Sequence, residues 1–398
     1  MRRFLRRSPK PMTTQIDETW TFPFCPQPPD WALDWDGIVD RFAWVQSMKG
    51  CPQDPIWHAE GNVLIHTHMV CEALIELDEW RSLAELERSV VFAATLMHDI
   101  AKPEVTREEN GRIRAPRHAS KGAQMVRSLM LQELLPTTSV DRLHLREQVV
   151  NLVRLHGMPL YLLDGRDPQR ELFAASQVAR CDRLAIIALA DVHGRHCADK
   201  DDLIGRVDMF QEFAAENKCL NGPRRFVSDH TRLLYFQGRD LDPNCEAYDE
   251  TTYEVVVMSG LPGSGKDHWI ARNRPDWPVI SLDRIRSEMS VLPADNQGVV
   301  VSEAKTRARE YLRKQTSFIW NATNTSSRMR RQLIQLFLDY NARARIVYVE
   351  ASWDEIQRRN RSRENQVPND VLQKLVRQLD VPNPTEAHSV EVACTSPM

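Results

Sequence analysis

Lys266 follows three glycines in "VVVMSGLPGSGKD", residues 255–267. Gly260, Gly263 and Gly265 leave room for backbone N–H groups to curl around phosphate oxygens, and Ser264 sits among them. An apolar run, "YEVVVMS", leads into the glycines, and a helical pattern follows near Asp267. A strand, a glycine turn and a helix N-terminus in that order form an anion site, and Lys266 can reach the outer phosphates. The pattern ordinarily closes with Ser or Thr, whose hydroxyl holds Mg²⁺; here it closes with Asp267. A carboxylate can ligate the same hard cation directly or through water. It can also simply favour the positive end of a helix dipole, and sequence leaves both readings open.

Further charged residues follow the same logic. Asp283 in "WPVISLDRIR" lies just past the carboxyl end of a short apolar strand, the edge that lines the ligand crevice in open α/β sheets. It could accept the proton of an attacking hydroxyl, or cap the helix that begins there. Arg286, three residues on, could bind a phosphate of the acceptor. Arg359 and Arg363, in "RNRSRENQVP", are four apart and share a helical face. They suit a lid over a nucleotide or a plain solvated basic face.

A second set of residues has metal-ligand chemistry. "SVVFAATLMHD" is apolar nearly all round and ends in His98 and Asp99. A buried carboxylate needs compensation, and a cation beside His98 supplies it. In "NVLIHTHMVCEALIEL", His68 shares a stripe with Glu72, Glu76 and Glu79, whereas His66 shares one with Val70, Ala73 and Leu77. The register turns His66 inward. "LAIIALADVHGR" offers Asp191 on the stripe of Leu184 and Ala188, with Asp182 as a rival. His118 and His156 are further candidates, although each taken alone fits a satisfied core histidine better than a ligand.

These residues need elements to hold them. The chain has 398 residues and a net charge of −3, so nucleic acid is not announced by the overall field. Arginines nevertheless crowd the last third, in "TRAREYLRK", "RMRRQ" and "RRNRSRE". The eight cysteines have no paired spacing, which fits a reducing cytoplasm rather than a disulfide framework. No apolar run is long enough to span a membrane, and no secretory signal follows the basic first residues. We expect a tail or surface arm over 1–30, an all-helical domain over 31–217, a connector over 218–250, and strands alternating with helices over 251–398. The last implies a parallel sheet covered on both faces.

With these motifs in view, residues 251–398 resemble the polynucleotide 5′-kinase branch of P-loop phosphotransferases, through "GLPGSGKD", "SLDRIR", "WNATN" and "RNRSRENQVP". The helical half resembles the HD phosphohydrolase superfamily, through "HAEGNVLIHTHMV", "LMHDIAKP" and "ADVHGR". The resemblance implies His66, His98, Asp99 and Asp191 as core metal ligands, with His118 and His156 added in two-metal members. It implies Asp283 as general base, Arg286 on the acceptor phosphate, and lid arginines near Arg359 and Arg363. Lys102 would steady a phosphate or leaving oxygen. Together the halves resemble bacterial HD-Pnk end-healing enzymes. That likeness implies hydrolysis of 2′,3′-cyclic or terminal phosphate, ATP- and Mg²⁺-dependent phosphorylation of a 5′-OH, and nucleic-acid ends as partners, with a separate ligase to finish. Mn²⁺, Co²⁺, Ni²⁺ or Fe²⁺ would serve the helical site. Two other readings fit the same motifs: a nucleotide hydrolase fused to a small-molecule kinase, and an ATP-binding switch that regulates the helical half.

Overall fold

The computed structural model describes residues 20–137, 139–292, 295–363 and 366–395. It has a helical N-terminal domain and a C-terminal domain built on a five-stranded parallel sheet. In the helical domain, α1 (Val63–Glu76) and α2 (Glu85–Met97) pack in the centre. A hairpin, β1 (Arg107–Glu109) and β2 (Arg112–Arg114), precedes α3 (His118–Leu129) and α4 (Val140–Leu155). Helix α5 (Cys181–His193) lies against α1 and completes the core. Each central helix buries an apolar stripe, and α2 is buried over nine consecutive residues, Ser89–Met97.

The aromatic residues that open the described chain belong to this core. Phe22 is fully buried against Phe42 and Phe92, and its N–H donates to Ser89 Oγ. The surface arm expected over 1–30 is therefore corrected for residues 20–25, and residues 1–19 lie outside the described residues. Burying a phenyl group outweighs the flexibility that nearby prolines suggest.

Between the domains, α6 (Asp229–Phe236) is pinned on both sides. Tyr235 packs its ring at a tilt against Phe173 and Phe226 of the helical core, while Leu233 packs in the sheet domain. The sheet runs in the order β4 (Val279–Ser281), β5 (Phe318–Asn321), β3 (Tyr253–Ser259), β6 (Ala342–Glu350), β7 (Ser389–Cys394), all parallel. On β3, Val255 and Val257 face one apolar cluster and Val256 and Met258 the other, so both faces are covered. Helices α7 (Lys266–Asn273), α8 (Leu282–Glu288) and α9 (Trp353–Arg361) leave the carboxyl ends of β3, β4 and β6.

The domains share a buried interface. Arg146 of α4, fully buried, grips Glu350 at the end of β6 through two hydrogen bonds of 2.8 and 3.0 Å. Leu131 joins a cluster with Leu261, Trp353 and Ile356 of the sheet domain. No helix among the described residues is long and apolar enough to cross a membrane.

Candidate metal centre and phosphate-binding loop

The helical domain brings six of the expected residues together. His66 comes from the middle of α1, His98 caps the end of α2, and Asp99 follows in the turn. His118 opens α3, His156 caps the end of α4, and Asp191 lies near the end of α5. All but His118 are buried. His68 points elsewhere and stacks on Trp35, as the helix register requires. Asp182, the rival acid, sits at the start of α5 and pairs with Arg180.

The donor atoms converge as two adjoining groups. His66, His98 and Asp191 offer one atom each within 4.8 Å, and Asp99, His118 and His156 do the same. Asp99 stands between them. Its Oδ2 lies 3.2 Å from His98 Nε2 and 3.8 Å from His66 Nε2, and its Oδ1 lies 3.5 Å from His118 Nε2. His66 Nε2 is 3.2 Å from Asp191 Oδ1, and the Nε2 atoms of His118 and His156 are 3.4 Å apart.

Three imidazoles are oriented by the same device. His98, His118 and His156 each place Nδ1 within 2.7–2.9 Å of a carbonyl three residues back, those of Thr95, Ala115 and Val153. The Nδ1–H donates there, which leaves Nε2 with its lone pair facing inward. His66 is held by a carboxylate, with Nδ1 2.8 Å from Glu60 Oε1.

These residues fit a divalent cation. The Nε2 atoms of His66 and His98 and the Oδ1 of Asp99 are buried without a hydrogen-bond partner among the described residues. Two inward lone pairs on His118 and His156 repel unless a cation or proton lies between them. Donors about 2.0–2.2 Å from one cation stand roughly 3–3.5 Å apart, the spacing seen here. A set of four imidazoles and two carboxylates suits transition metals better than Mg²⁺.

The electrostatics agree. Burial alone would raise the Asp99 carboxyl, but His98, Lys102 and His118 together hold it well below the usual carboxylate range. Burial likewise opposes Asp191, yet Arg195, His66 and His98 keep it ionised. Burial, with His98 and His118 beside it, lowers His156 to about 3, so it is a neutral donor.

Several contributors escaped the sequence reading. Arg195 clamps Asp191 through Nε at 2.9 Å and through Nη2. Its position four residues on, just past the end of α5, was the available signal. Glu60 and Gln53 lie in a loop, where no periodicity marks them. Gln53 Oε1 accepts from Lys102 Nζ at 2.6 Å, and Lys102 also pairs with Asp99 Oδ2 at 2.6 Å. Lys102 thus stands at the edge of the centre.

The glycine loop leaves β3 and enters α7. Gly260 has φ 143°, and a Cβ there would lie 2.2 Å from the Val349 carbonyl oxygen. Lys266 folds over the loop and donates to the carbonyls of Gly260 and Leu261, each at 2.9 Å. Burial lowers its ammonium to about 8, against the pull of Asp267 and Asp283 and with the help of Arg363. Those four charges therefore share one neighbourhood. Ser264 Oγ is buried without a hydrogen-bond partner among the described residues.

Asp267 occupies the first turn of α7 and is exposed; its Oδ1 accepts from Asn321 Nδ2 at 2.6 Å, at the end of β5. Asp283 does not cap its helix. Ser281 does, accepting from Arg284 N. The Asp283 carboxylate stays 80% exposed and pairs with Arg286, whose Nε donates to Gln297 Oε1. Helix α9 ends at Arg361, so Arg359 and Arg363 do not share one helical face, contrary to the spacing argument. Arg359 braces the loop, donating to the Gly263 carbonyl at 3.1 Å and to Thr395 Oγ1 at 3.0 Å, and it pairs with Glu355. Arg363 lies beyond the helix and is exposed.

Residues 63–193 match the HD domain family, and residues 255–382 match an AAA domain family. Two solved structures align with part of the chain. One is a protein from Chloroflexus aurantiacus described as a kinase, at 17% identity, covering 37% of this chain and 90% of that chain with a TM-score of 0.32. The other is an unliganded sugar kinase from Janibacter sp., at 17% identity, covering 36% of this chain and 86% of that one with a TM-score of 0.28. At those scores they carry no argument about substrate. The chain joins a helical HD domain of phosphohydrolase type to an α/β domain of the P-loop kinase kind.

Proposed function

We propose that this chain heals the ends of broken polynucleotides, hydrolysing phosphate from a 2′,3′ end in the helical domain and phosphorylating a 5′-OH in the sheet domain. The observation that carries the reading is the open acceptor side of the glycine loop. A carboxylate, Asp283, stands 80% exposed beside Arg286. Such a site suits the end of a long strand better than a small molecule that must be enclosed.

In the kinase step, Asp283 accepts the proton of the 5′-OH as that oxygen attacks the γ-phosphorus of ATP. The bond to the β-phosphate oxygen breaks, and ADP leaves. Lys266 turns from its loop carbonyls to the phosphates, and the backbone N–H groups after Gly263 hold their oxygens. Arg286 anchors a phosphate of the acceptor strand, and Arg363 balances charge on the outer phosphate. Asp267 and its partner Asn321 would hold Mg²⁺.

In the helical domain, His66, His98, Asp99 and Asp191 would hold one divalent cation, and Asp99, His118 and His156 a second. A bound cation supplies an activated water and polarises the phosphoryl oxygens. Lys102, swung from Asp99, steadies the leaving oxygen. Arg195 and Glu60 keep Asp191 and His66 in place. A separate ligase activity would join the healed ends.

The test is an oligonucleotide carrying 5′-OH and 2′,3′-cyclic phosphate, incubated with γ-labelled ATP, Mg²⁺ and a panel of Mn²⁺, Co²⁺, Ni²⁺ and Fe²⁺. Label on the oligonucleotide and loss of its terminal phosphate are expected. Label passing only to sugars or nucleosides would replace this reading with a small-molecule kinase.

A further inference from the structure

Two exposed aromatic side chains stand on segments that adjoin residues of the helical centre, and the hydrolytic chemistry uses neither. Trp57 is 47% exposed, the most open of the ten tryptophans. Its loop is braced. The N–H groups of Trp57 and His58 donate to the Asp54 carbonyl, and Asp54 Oδ2 accepts from Arg112 of the hairpin at 2.6 Å. The next residue, His58, bonds Glu60, and its ring centroid lies 4.6 Å from that of His66.

The rim continues from this loop to the second aromatic. Ala59 N donates to the His196 carbonyl, and His196 N donates to Glu60 Oε2 at 3.0 Å. Arg195, beside His196, clamps Asp191. Tyr161 ends the short helix Met158–Tyr161, which begins two residues after His156, and it is 59% exposed. Its phenol shares the neighbourhood of the Arg195 guanidinium. Trp57 and Tyr161 are thus displayed from segments whose adjoining residues hold the centre.

Resting on the polynucleotide reading above, we propose that Trp57 and Tyr161 are stacking platforms for the nucleobases next to the phosphate that the helical centre hydrolyses. Every base has a π-face, so stacking grips any sequence while rejecting base-free phosphoesters. Large aromatic surface left in water beside a phosphate site, on a rigid rim, is the arrangement that serves this purpose.

The test uses two 3′-phosphate oligonucleotides that differ only in their last two nucleotides, base-bearing in one and abasic in the other. The wild-type protein should show a KM roughly 5- to 100-fold lower for the base-bearing strand, the range expected of one or two stacked bases. Trp57→Ala and Tyr161→Ala should each raise that KM towards the abasic value with kcat nearly kept, and Trp57→Phe and Tyr161→Phe should restore it. Kinase activity of the same preparations reports that the chain is folded. The proposal is overturned if the alanine variants leave KM unchanged, lower kcat instead, or affect both strands alike. If the wild-type protein treats both strands equally, stacking fails and the polynucleotide reading stands. If it hydrolyses β-glycerophosphate and neither strand, both fail.

Discussion

The helical centre and the glycine loop handle the same chemical group in opposite states of readiness. In the helical centre each of the four imidazoles has Nδ1 beside a carbonyl or a carboxylate, and five of the six donor residues are buried. In the loop, Lys266 is turned onto its own backbone, and Asp283 waits in solvent. The difference follows from what each must admit. A cation and a water are small and can enter a finished cage. ATP must enter, and ADP and a phosphorylated strand must leave, so the groups that touch them cannot be locked. The cage is held by neighbours such as Glu60 and Arg195, and the loop by Arg359 and Thr395 from behind.

This contrast can be broken or sharpened by substitution. The largest effect should come from Asp283→Ala, which removes the proton acceptor and should lower kinase kcat by roughly 10²- to 10⁴-fold while ATP binding persists. Measured by single-turnover phosphorylation and by ATP titration, a parallel loss of ATP affinity would instead make Asp283 a nucleotide-positioning group. Arg146→Ala should come next. It strands Glu350 in the domain interface, where breaking a buried pair costs about 3–5 kcal/mol, and urea unfolding should read that loss. A change below about 1 kcal/mol would mean that water already reaches the pair. Glu60→Gln should weaken Mn²⁺ binding by roughly 10- to 100-fold in equilibrium dialysis and leave the kinase untouched. An unchanged affinity would show that the cage does not depend on its outer carboxylate.

The smallest effect is in pH. Lys266 has its ammonium lowered to about 8 by burial, so above that pH the free loop holds a neutral amine. Phosphate favours the ammonium, so binding above pH 8 must take up a proton and ATP affinity must fall as pH rises. The loss should be roughly tenfold between pH 7 and pH 9. Lys266→Arg should flatten the profile, since a guanidinium stays charged throughout. A wild-type affinity flat to pH 9 would place the ammonium's titration higher.

Much of this arrangement was legible in the sequence wherever periodicity carries the information. The helical register turned His66 inward and His68 outward, and the structure buries the first and stacks the second on Trp35. The same reasoning offered Asp191, now found on the buried face of α5, without excluding Asp182. The glycine loop was legible because a strand, three glycines and a lysine have one economical arrangement. What escaped lies in loops and edges. Glu60 and Gln53 act through tertiary contacts that no spacing announces. The Asn110-Gly111 turn was a readable hairpin signal, with both residues at positive φ, but its flanking strands are short and charged. Strand β7 lies at the sheet edge, and its half-exposed residues give little apolar contrast. Ser281 rather than Asp283 took the helix cap, a choice set by two residues of register.

The most direct test assays both reactions in the same preparations of Asp99→Ala and Lys266→Ala, on one oligonucleotide with 5′-OH and 2′,3′-cyclic phosphate. Two separate centres predict reciprocal results: Asp99→Ala loses phosphate hydrolysis by at least about a hundredfold and keeps the kinase, and Lys266→Ala does the reverse. Loss of both activities from either folded variant, or hydrolysis that survives Asp99→Ala, would contradict the account.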